Sequence, residues 1–412
     1  MDQCVIAATE AAVAAAVVDV PVADVCRDLL QLLGGVSDGR SSQGRDHPAS
    51  VVLALAAAAT VAGMKGYAAI AGWVADVPAG ILTDLYLRAG ALPVGPPSKS
   101  TIWRVSTDAD AHALDAAVGA WFSSIAATHA STTEGGGHDE TPPRGTRVQI
   151  RLDGKTVRGA KDHDGNQMQL LAALAGPAGD GGAAVVLAQT EVSGAKTNEP
   201  QAAREVLGGI DLDGATLTAD ALHTVKATAE LIHQRGGQFV FPVKENRQAL
   251  FDALDALPWK DIPITHHSVD KGHGRITRRT IRVLPAPDDL PFPHVNQAYL
   301  VERYVTATDG TPISAVAALG VASHTATQAT PADLACYVQG QWAVEVLHWI
   351  RDTLYREDNS TVRTRSGPRI MASLRNLAIG ALRLAGRRDI TEATRWANRY
   401  MTRPFTILAL TS

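Results

Sequence analysis

The segment Val148-Gln149-Ile150-Arg151-Leu152-Asp153-Gly154 decides the fold. Apolar side chains at positions 148, 150 and 152 alternate with polar ones at 149 and 151, and this period of two is typical of a β-strand. The strand is predicted to end at Asp153, because Asp-Gly is a common turn sequence. A carboxylate at the end of a strand lies where binding sites gather in sheets that contain parallel strands.

The segments that follow this strand indicate a mixed sheet. Apolar runs at 168–175 and 183–190 predict two hairpin-linked strands, and short strands are predicted at 215–219, ending at Asp220, and at 238–243, closing on Lys244. Helices are predicted at 198–208, at 223–234 and from Pro331 onward, with Pro368 opening another, and 275–318 alternates as β-structure. This order predicts an α+β or α/β sheet covered by helices.

The part of the chain before this sheet has a different composition. Residues 1–127 are rich in alanine, leucine and valine, which predicts a helical domain, broken at 34–47 and 93–97. Residues 128–146 hold glycines and prolines without apolar periodicity and predict a linker to a second domain at 147–412. The apolar runs at 5–20 and 51–64 are too short or too interrupted for a membrane span, so we expect a soluble, cytoplasmic protein.

The charge distribution indicates a polyanionic partner for one end of the chain. The net charge is −4, but residues 351–403 contain twelve arginines and no lysine. An asymmetry of this kind is a pointer to nucleic acid for the basic region. A solvated helix surface is the alternative interpretation.

Three acidic residues are candidates for a metal site. Asp153 and Asp220 follow predicted strands, and Glu345 lies in a predicted helix between Trp342 and Trp349. This spacing predicts that Glu345 lies on a buried apolar stripe. Clustered carboxylates are ligands for Mg²⁺ or Mn²⁺, and two such ions about 4 Å apart support in-line phosphoryl displacement. The alternative is that they are turn formers and a helix-surface glutamate.

Several motifs, in order along nearly the whole chain, resemble those of the H-repeat-associated family of bacterial insertion-sequence transposases. They are Leu152-Asp-Gly-Lys-Thr-Val-Arg-Gly159, Thr218-Ala-Asp-Ala-Leu-His-Thr224, Val243-Lys-Glu-Asn-Arg-Gln-Ala-Leu250, Leu347-His-Trp349, Arg356-Glu-Asp358 and Met371-Ala-Ser-Leu-Arg-Asn-Leu377. The helical part resembles the domain that precedes the catalytic core in that family, in His47-Pro48, residues 63–73 and Pro97-Ser-Lys-Ser-Thr-Ile-Trp-Arg104.

The resemblance implies an RNase H-like core in which Asp153, Asp220 and Glu345 form a DDE triad that binds two Mg²⁺ or Mn²⁺ ions. A β-rich insertion at about 260–325 would precede the helix that carries the glutamate. The implied partner is double-stranded DNA, both element ends and target, bound by a homodimer or higher oligomer. The sequence departs from the family where Gln339 replaces an arginine and Val346 replaces an asparagine.

Basic residues in three regions are candidates for phosphate contacts, which arginine and lysine mostly supply. They are Lys155, Arg158, Lys244 and Arg247 near strand ends, Lys99 and Arg104 on a possible recognition helix at 97–110, and Arg363, Arg365 and Arg369 near the C-terminus. Loop solvation, a helix merely capped by Pro97-Ser98, or pairing of the last three with Glu357 and Asp358 are the alternatives. His223 could hydrogen-bond a metal ligand or be structural.

Three functions follow from these residues. The first is a transposase that carries out metal-dependent DNA cleavage and strand transfer. The second is a catalytically inactive or domesticated DNA-binding protein that keeps the fold. The third is a metal-dependent nuclease without strand transfer.

Overall fold

The structure is a computed structural model, and it describes residues 28–43, 45–131, 148–161, 165–179, 183–192 and 198–411. The predicted helix at 5–20 lies outside the described residues. So does the predicted linker, except for its first four residues, which extend the last helix before it.

The N-terminal part is helical, as predicted, and its helices are short. They are α1 (Leu29–Gly34), α2 (Ala49–Val61), α3 (Tyr67–Ala75), α4 (Ala79–Arg88), α5 (Lys99–Asp108) and α6 (Ala111–Ser131). The helices break at the two predicted positions and also at 62–66, 76–78 and 109–110. In α2 every residue except Ser50 is buried, since a helix that is apolar on all sides must be enclosed.

The part of the chain from residue 148 onward, the sheet region, is built on a mixed sheet. Its strands are β1 (Val148–Lys161), β2 (Gln167–Pro177), β3 (Val185–Glu191), β4 (Thr216–Thr218), β5 (Gln238–Val243), β6 (His266–Gly272), β7 (Arg275–Pro285), β8 (Gln297–Ala307) and β9 (Pro312–Ala322). Within the described residues their order is β3-β2-β1-β4-β5-β9-β8-β7-β6. The first three strands are antiparallel, whereas β1, β4 and β5 are parallel. The predicted mixed sheet is confirmed.

Strand β1 is longer than the alternation predicts. It continues through Asp153 to Lys161, because its antiparallel pairing with β2 extends past the aspartate, which lies opposite Ala172. Its parallel pairing with β4 stops at Arg151, opposite Thr218. The prediction that the strand ends at Asp153 is therefore wrong, although Asp153 does lie just beyond the parallel part of the sheet.

The β-rich region extends the sheet instead of forming a separate layer. It comprises β6 to β9, and β9 pairs antiparallel with β5. Close packing within this region requires a glycine at position 320, because a Cβ there would lie 2.1 Å from the ring of Tyr299. Tyr299 is itself buried.

Three helices lie between strands of the sheet in sequence: α7 (Glu199–Gly208), α8 (Lys226–Gln234) and α9 (Gln248–Asp255). Five more follow the last strand: α10 (Pro331–Gly340), α11 (Trp342–Thr353), α12 (Gly367–Leu384), α13 (Ile390–Asn398) and α14 (Arg403–Ile407). Pro331 and Pro368 open α10 and α12, as predicted. Thr330 and Asp333 form a capping box at the start of α10.

The N-terminal helices and the C-terminal helix α12 share one hydrophobic core. Two glycines bring α6 close to its neighbours: a Cβ on Gly119 would lie 2.0 Å from the Leu187 carbonyl oxygen of β3, and one on Gly380 of α12 would lie 2.5 Å from the Phe122 ring. The described helical region is therefore packed directly against the sheet region.

Within the described ranges no single helix has the length and apolarity needed to cross a membrane. One adjacent pair, α3 with α4, meets both criteria jointly but bends by 108°.

Candidate active site

Asp153 and Asp220 are brought to one edge of the sheet by neighbouring parallel strands. Arg151 of β1 lies opposite Thr218 of β4. Asp153 comes two residues after Arg151, and Asp220 comes two residues after Thr218. Neighbouring strands lie about 5 Å apart. Each carboxylate also accepts a local backbone hydrogen bond of 2.9 Å, Asp153 from the N–H of Gly154 and Asp220 from that of Leu222.

Glu345 lies in the first turn of α11 and interacts electrostatically with Asp153. Partial burial of the carboxyl group and the nearby Asp153 carboxylate raise the pKa of Glu345, against the opposing effect of the Arg303 guanidinium. Two carboxylates that disfavour each other's charge form a site with unbalanced negative potential.

The prediction of a buried stripe around Glu345 is wrong. Trp342 and Trp349 are 53% and 63% exposed. Helix α11 buries a different face, formed by Val344, Leu347, Ile350 and Arg351. A helix can bury only the side that meets the protein, and here that side is rotated away from the two tryptophans. Glu345 consequently faces solvent with aromatic side chains on either side of it.

His348 is a residue near this site that the sequence did not single out. Its Nδ1 lies 3.4 Å from Oδ2 of Asp153. Burial lowers the pKa of His348, although the hydrogen bond with Asp153 acts in the other direction. A neutral imidazole next to Asp153 leaves the negative charge of the carboxylate uncompensated. The Leu347-His-Trp349 motif could have pointed to this residue, because a histidine in the middle of it is one helical turn from Glu345.

Glu199 is a second residue that the sequence analysis missed. Its carboxylate is buried and packs against Gly154, where a Cβ would lie 2.9 Å from Oε1. Its Oε2 is 3.8 Å from Nε2 of His223, and that nitrogen is 4.0 Å from Oδ1 of Asp220. These distances exceed hydrogen-bonding range, so the His223 side chain does not hydrogen-bond the Asp220 carboxylate, which was one of the two roles left open for it. Glu199 nevertheless lies between the segments that carry the two aspartates.

The donor set at this edge fits a hard divalent cation. Asp153, Asp220 and Glu345 offer carboxylate oxygens, which Mg²⁺ and Mn²⁺ prefer, and the mutual repulsion of Asp153 and Glu345 is of the kind that a cation relieves. Within the described part of the chain, no three His, Cys, Asp or Glu side chains are already placed to hold an ion.

Two basic residues on β1, Lys155 and Arg158, are paired with acidic residues in the last turn of α11 and just after it. Nζ of Lys155 lies 2.6 Å from Asp352 and 3.8 Å from Asp358, and Lys155 is buried. Arg158 is exposed and lies 3.4 Å from Asp358. Lys155 therefore anchors β1 to the end of α11 and to the segment that follows it, and it is not part of the DNA interface proposed below.

A groove of about 1110 Å³ opens beside Asp220, and Lys244 and Trp259 are among the residues that line it. Lys244 is exposed, at the end of β5. Arg247 donates from Nε to the Thr224 carbonyl oxygen at 2.7 Å, which leaves its terminal nitrogens available. The groove therefore joins Asp220 to an exposed basic side chain at the end of β5.

The C-terminal arginines have different environments from those predicted. Arg365 pairs with Asp108 at 2.6 Å, and Arg369 pairs with Asp115 at 2.9 Å, so neither contacts Glu357 or Asp358. The proposed pairing with those two residues is therefore wrong. The Arg369 side chain is mostly buried and pairs with Asp115, so it is not part of the DNA interface proposed below. Arg363, in contrast, is exposed.

Glu357 pairs instead with two buried arginines, Arg351 and Arg375. Its Oε2 lies 2.8 Å from Arg351 and its Oε1 lies 2.7 Å from Arg375. These charge pairs lower the pKa of Glu357 to about 2, against the effect of burial. Helix α11 ends at Thr353, so Glu357 lies beyond the helix that carries Glu345. Arg351 and Arg375 are therefore part of the protein interior, as is Arg383, which is also buried.

Helix α5 presents two of the candidate cations to solvent. Lys99 and Arg104 are both exposed. Ser98 caps the helix by accepting a hydrogen bond from the N–H of Thr101 at 3.2 Å, so the capping role is real. A cap does not prevent the exposed face from contacting DNA.

Comparisons with known proteins agree with this architecture. Residues 30–122 match the model of the DDE_Tnp_1-associated domain, and residues 146–380 match that of the transposase DDE domain. An uncharacterised protein from the dhlA 3' region of Xanthobacter autotrophicus is 32% identical over 252 residues, which cover 59% of this chain and 76% of that protein.

Two relatives come from Escherichia coli K12. The H repeat-associated putative transposase YhhI is 26% identical over 246 residues, covering 57% of this chain and 63% of that protein. The H repeat-associated putative transposase YbfD is 34% identical over 100 residues, covering 23% of this chain and 40% of that protein. This chain thus matches less than two thirds of the length of these two relatives.

The family model covers more than half of the chain, and its match contains Asp153, Asp220 and Glu345. The strand order of the first five strands, with a β-rich insertion after them and a helical region before them, is that of an RNase H-like core. The chain belongs to the H-repeat-associated family of bacterial DDE transposases.

Proposed function

We propose that the protein is an active transposase that cleaves DNA at the ends of its element and joins the freed ends to target DNA. The observation that supports this proposal is the parallel register of β1 and β4, in which Asp153 and Asp220 each come two residues after the paired Arg151 and Thr218, together with the electrostatic interaction between Asp153 and Glu345. In-line phosphoryl transfer needs this concentration of carboxylates at one place.

Family membership implies dependence on a divalent metal. Asp153, Asp220 and Glu345 would hold the ions, and Mg²⁺ or Mn²⁺, when bound, would stabilise charge on the scissile phosphate. Asp153 is already placed by β1 and by its contact with His348. Asp220 caps the turn Ala221–His223 by accepting a hydrogen bond from the N–H of Leu222.

The protein's own residues would guide DNA to this edge. Lys244 stands at the groove beside Asp220, and Arg247 and Arg158 lie on segments that flank the same edge. Their role is to hold phosphates without reading sequence. The exposed Trp342 and Trp349 on either side of Glu345 would contact DNA as it reaches the carboxylates.

The experiment is an assay of purified protein with labelled element ends and a target plasmid, in Mg²⁺, in Mn²⁺ and in EDTA. We expect nicked and joined products with either metal and none in EDTA. Asp153→Asn and Glu345→Gln should abolish both products while leaving end binding nearly unchanged. Glu205→Gln is the matched control for Glu345→Gln, because Glu205 is also an exposed glutamate on a helix.

The outcomes separate the three candidate functions. Cleavage without joined products would favour a nuclease. Binding to ends without cleavage in either metal would favour an inactive DNA-binding protein. A Glu345→Gln variant that cleaves at the wild-type rate would remove Glu345 from the active site.

A further inference from the structure

A cleft of about 350 Å³ lies between the N-terminal helices and the segment that precedes α12. Lys99, Trp103 and Thr107, spaced one helical turn apart on α5, form one wall. The start of α3 and residues 361–364 form the others. Regions nearly 300 positions apart in sequence therefore meet at one concave surface, away from the carboxylates.

Two contacts join the walls of this cleft to one another. Arg365 bridges the C-terminal segment to Asp108 at the end of α5, with an N–O distance of 2.6 Å. Gly367 packs so closely that a Cβ there would lie 2.7 Å from the hydroxyl oxygen of Tyr67 at the start of α3. The cleft is thus held at both ends and needs little rearrangement to receive a ligand.

The cleft is lined by hydrogen-bond donors and positive charge. Lys99 and Arg363 are exposed, and within the described residues neither has an ion-pair partner, nor does any carboxylate line the cleft. The hydroxyls of Thr361 and Thr364 add further donors. Helix α3 adds the positive end of its dipole, since Gly66 gives it no side-chain cap. Such a lining selects an anion.

Trp103 shows what kind of anion fits. Its side chain is 42% exposed although it lies on the cleft-facing side of α5. An indole ring beside two cations offers a flat apolar surface next to a charged one. A phosphate ester with an attached sugar and base matches both surfaces, whereas inorganic phosphate uses only the charged one.

We propose that this cleft binds the phosphodiester backbone of DNA, with the phosphate held by Lys99 and Arg363 and the adjoining nucleotide against Trp103. The proposal rests on the proposed function only in taking DNA as the substrate. It makes the helical region and the C-terminal segment two halves of a single DNA contact, a site separate from the catalytic edge.

The test measures the affinity for element-end DNA as a function of salt concentration, in EDTA so that cleavage does not intervene. Lys99→Ala and Arg363→Ala should each flatten the plot of log K against log salt by about 0.9, and the double variant by about twice that. Arg388→Ala is the matched control, because it removes one exposed charge from the same basic region outside the cleft. Its slope should equal that of the wild type.

Trp103→Ala should weaken binding several-fold at every salt concentration with an unchanged slope, because the indole carries no charge, and Trp103→Phe should restore most of the affinity. Circular dichroism and thermal unfolding would verify that each variant is folded. Wild-type slopes in both Lys99→Ala and Arg363→Ala would overturn the proposal.

A titration with dAMP separates DNA from a free nucleotide as the occupant. Tight dAMP binding that the double variant loses, with DNA affinity unchanged, would overturn the proposal in favour of a nucleotide site. These binding measurements do not depend on whether the wild-type protein cleaves DNA. A protein that binds ends through the cleft but never cuts them would therefore contradict the proposed function and leave this inference standing.

Discussion

Glu357→Gln is the substitution for which the structure gives the clearest energetic expectation. The wild-type carboxylate is fully buried between Arg351 and Arg375. The variant keeps the shape of the side chain but leaves two buried guanidinium groups without their counter-charge. Breaking a buried ion pair by removing one partner typically costs about 3–5 kcal/mol. We expect the free energy of unfolding at pH 7 to fall by an amount in this range.

The pH dependence provides a second, independent reading of the same interaction. The arginines lower the pKa of Glu357 to about 2 from an ordinary value of 4.5, a difference worth about 3 kcal/mol. Because the pKa is lowered in the folded state, this stabilisation is present above pH 4.5 and is lost as the pH falls toward 2. The destabilisation caused by Glu357→Gln should therefore shrink progressively as the pH is lowered below about 4.5.

Urea unfolding followed by circular dichroism and tryptophan fluorescence, at a series of pH values from 7 downward, would measure this. Glu302→Gln is the matched control: Glu302 pairs with Arg282, but both side chains are 22% exposed. We expect that control to cost about 1 kcal/mol or less. Equal effects of the two substitutions, or a Glu357→Gln effect that does not change with pH, would refute the reasoning.

Two further predictions concern Gly154 and Asp115. Gly154→Ala should leave the protein folded but reduce cleavage at least tenfold, because the new Cβ would lie 2.9 Å from the Glu199 carboxylate and displace the Asp153 segment. Gly72→Ala, where a Cβ meets nothing within 4 Å, is the control in the same cleavage assay, and equal activity of the two variants would contradict the prediction. Burial raises the pKa of Asp115 to about 6 despite Arg369, so this group's contribution to stability is present below pH 3.8 and is lost as the pH rises through 6. The difference in unfolding free energy between wild type and Asp115→Asn should change by about 3 kcal/mol between pH 4 and 7, and a constant difference would argue against it.

Local patterns in the sequence were enough to predict most of the secondary structure. The alternation before Asp153, the runs that became β2 and β3, and the prolines that open α10 and α12 all act through backbone geometry within a few residues. The length of β1 was not predictable in this way. It is set by the pairing of residues beyond Asp153 with β2, and polar side chains there give no alternation to detect.

At the candidate site, even more depends on packing that local sequence patterns do not predict. The spacing of Trp342 and Trp349 correctly places them on the side of the helix that carries Glu345, but helical periodicity does not say which side meets the protein. Likewise, the twelve C-terminal arginines look alike in sequence. Only the fold separates Arg351, which neutralises a buried glutamate, from Arg363, which faces solvent. Glu199 was missed because its proximity to Gly154 arises from packing between α7 and the sheet.

The hydrophobic core shared by α2, α6 and α12 has a consequence for where the protein would cut. A recognition domain on a flexible tether would let the active site sample several phosphodiesters near a bound sequence. Here the described helices are packed onto the same framework that carries Glu345, and Gly119 and Gly380 allow no gap between them. DNA bound by the helical region would therefore reach the carboxylates at one fixed distance from the bound sequence. Cut positions should then keep a constant spacing from the bound sequence when the sequence between them is changed.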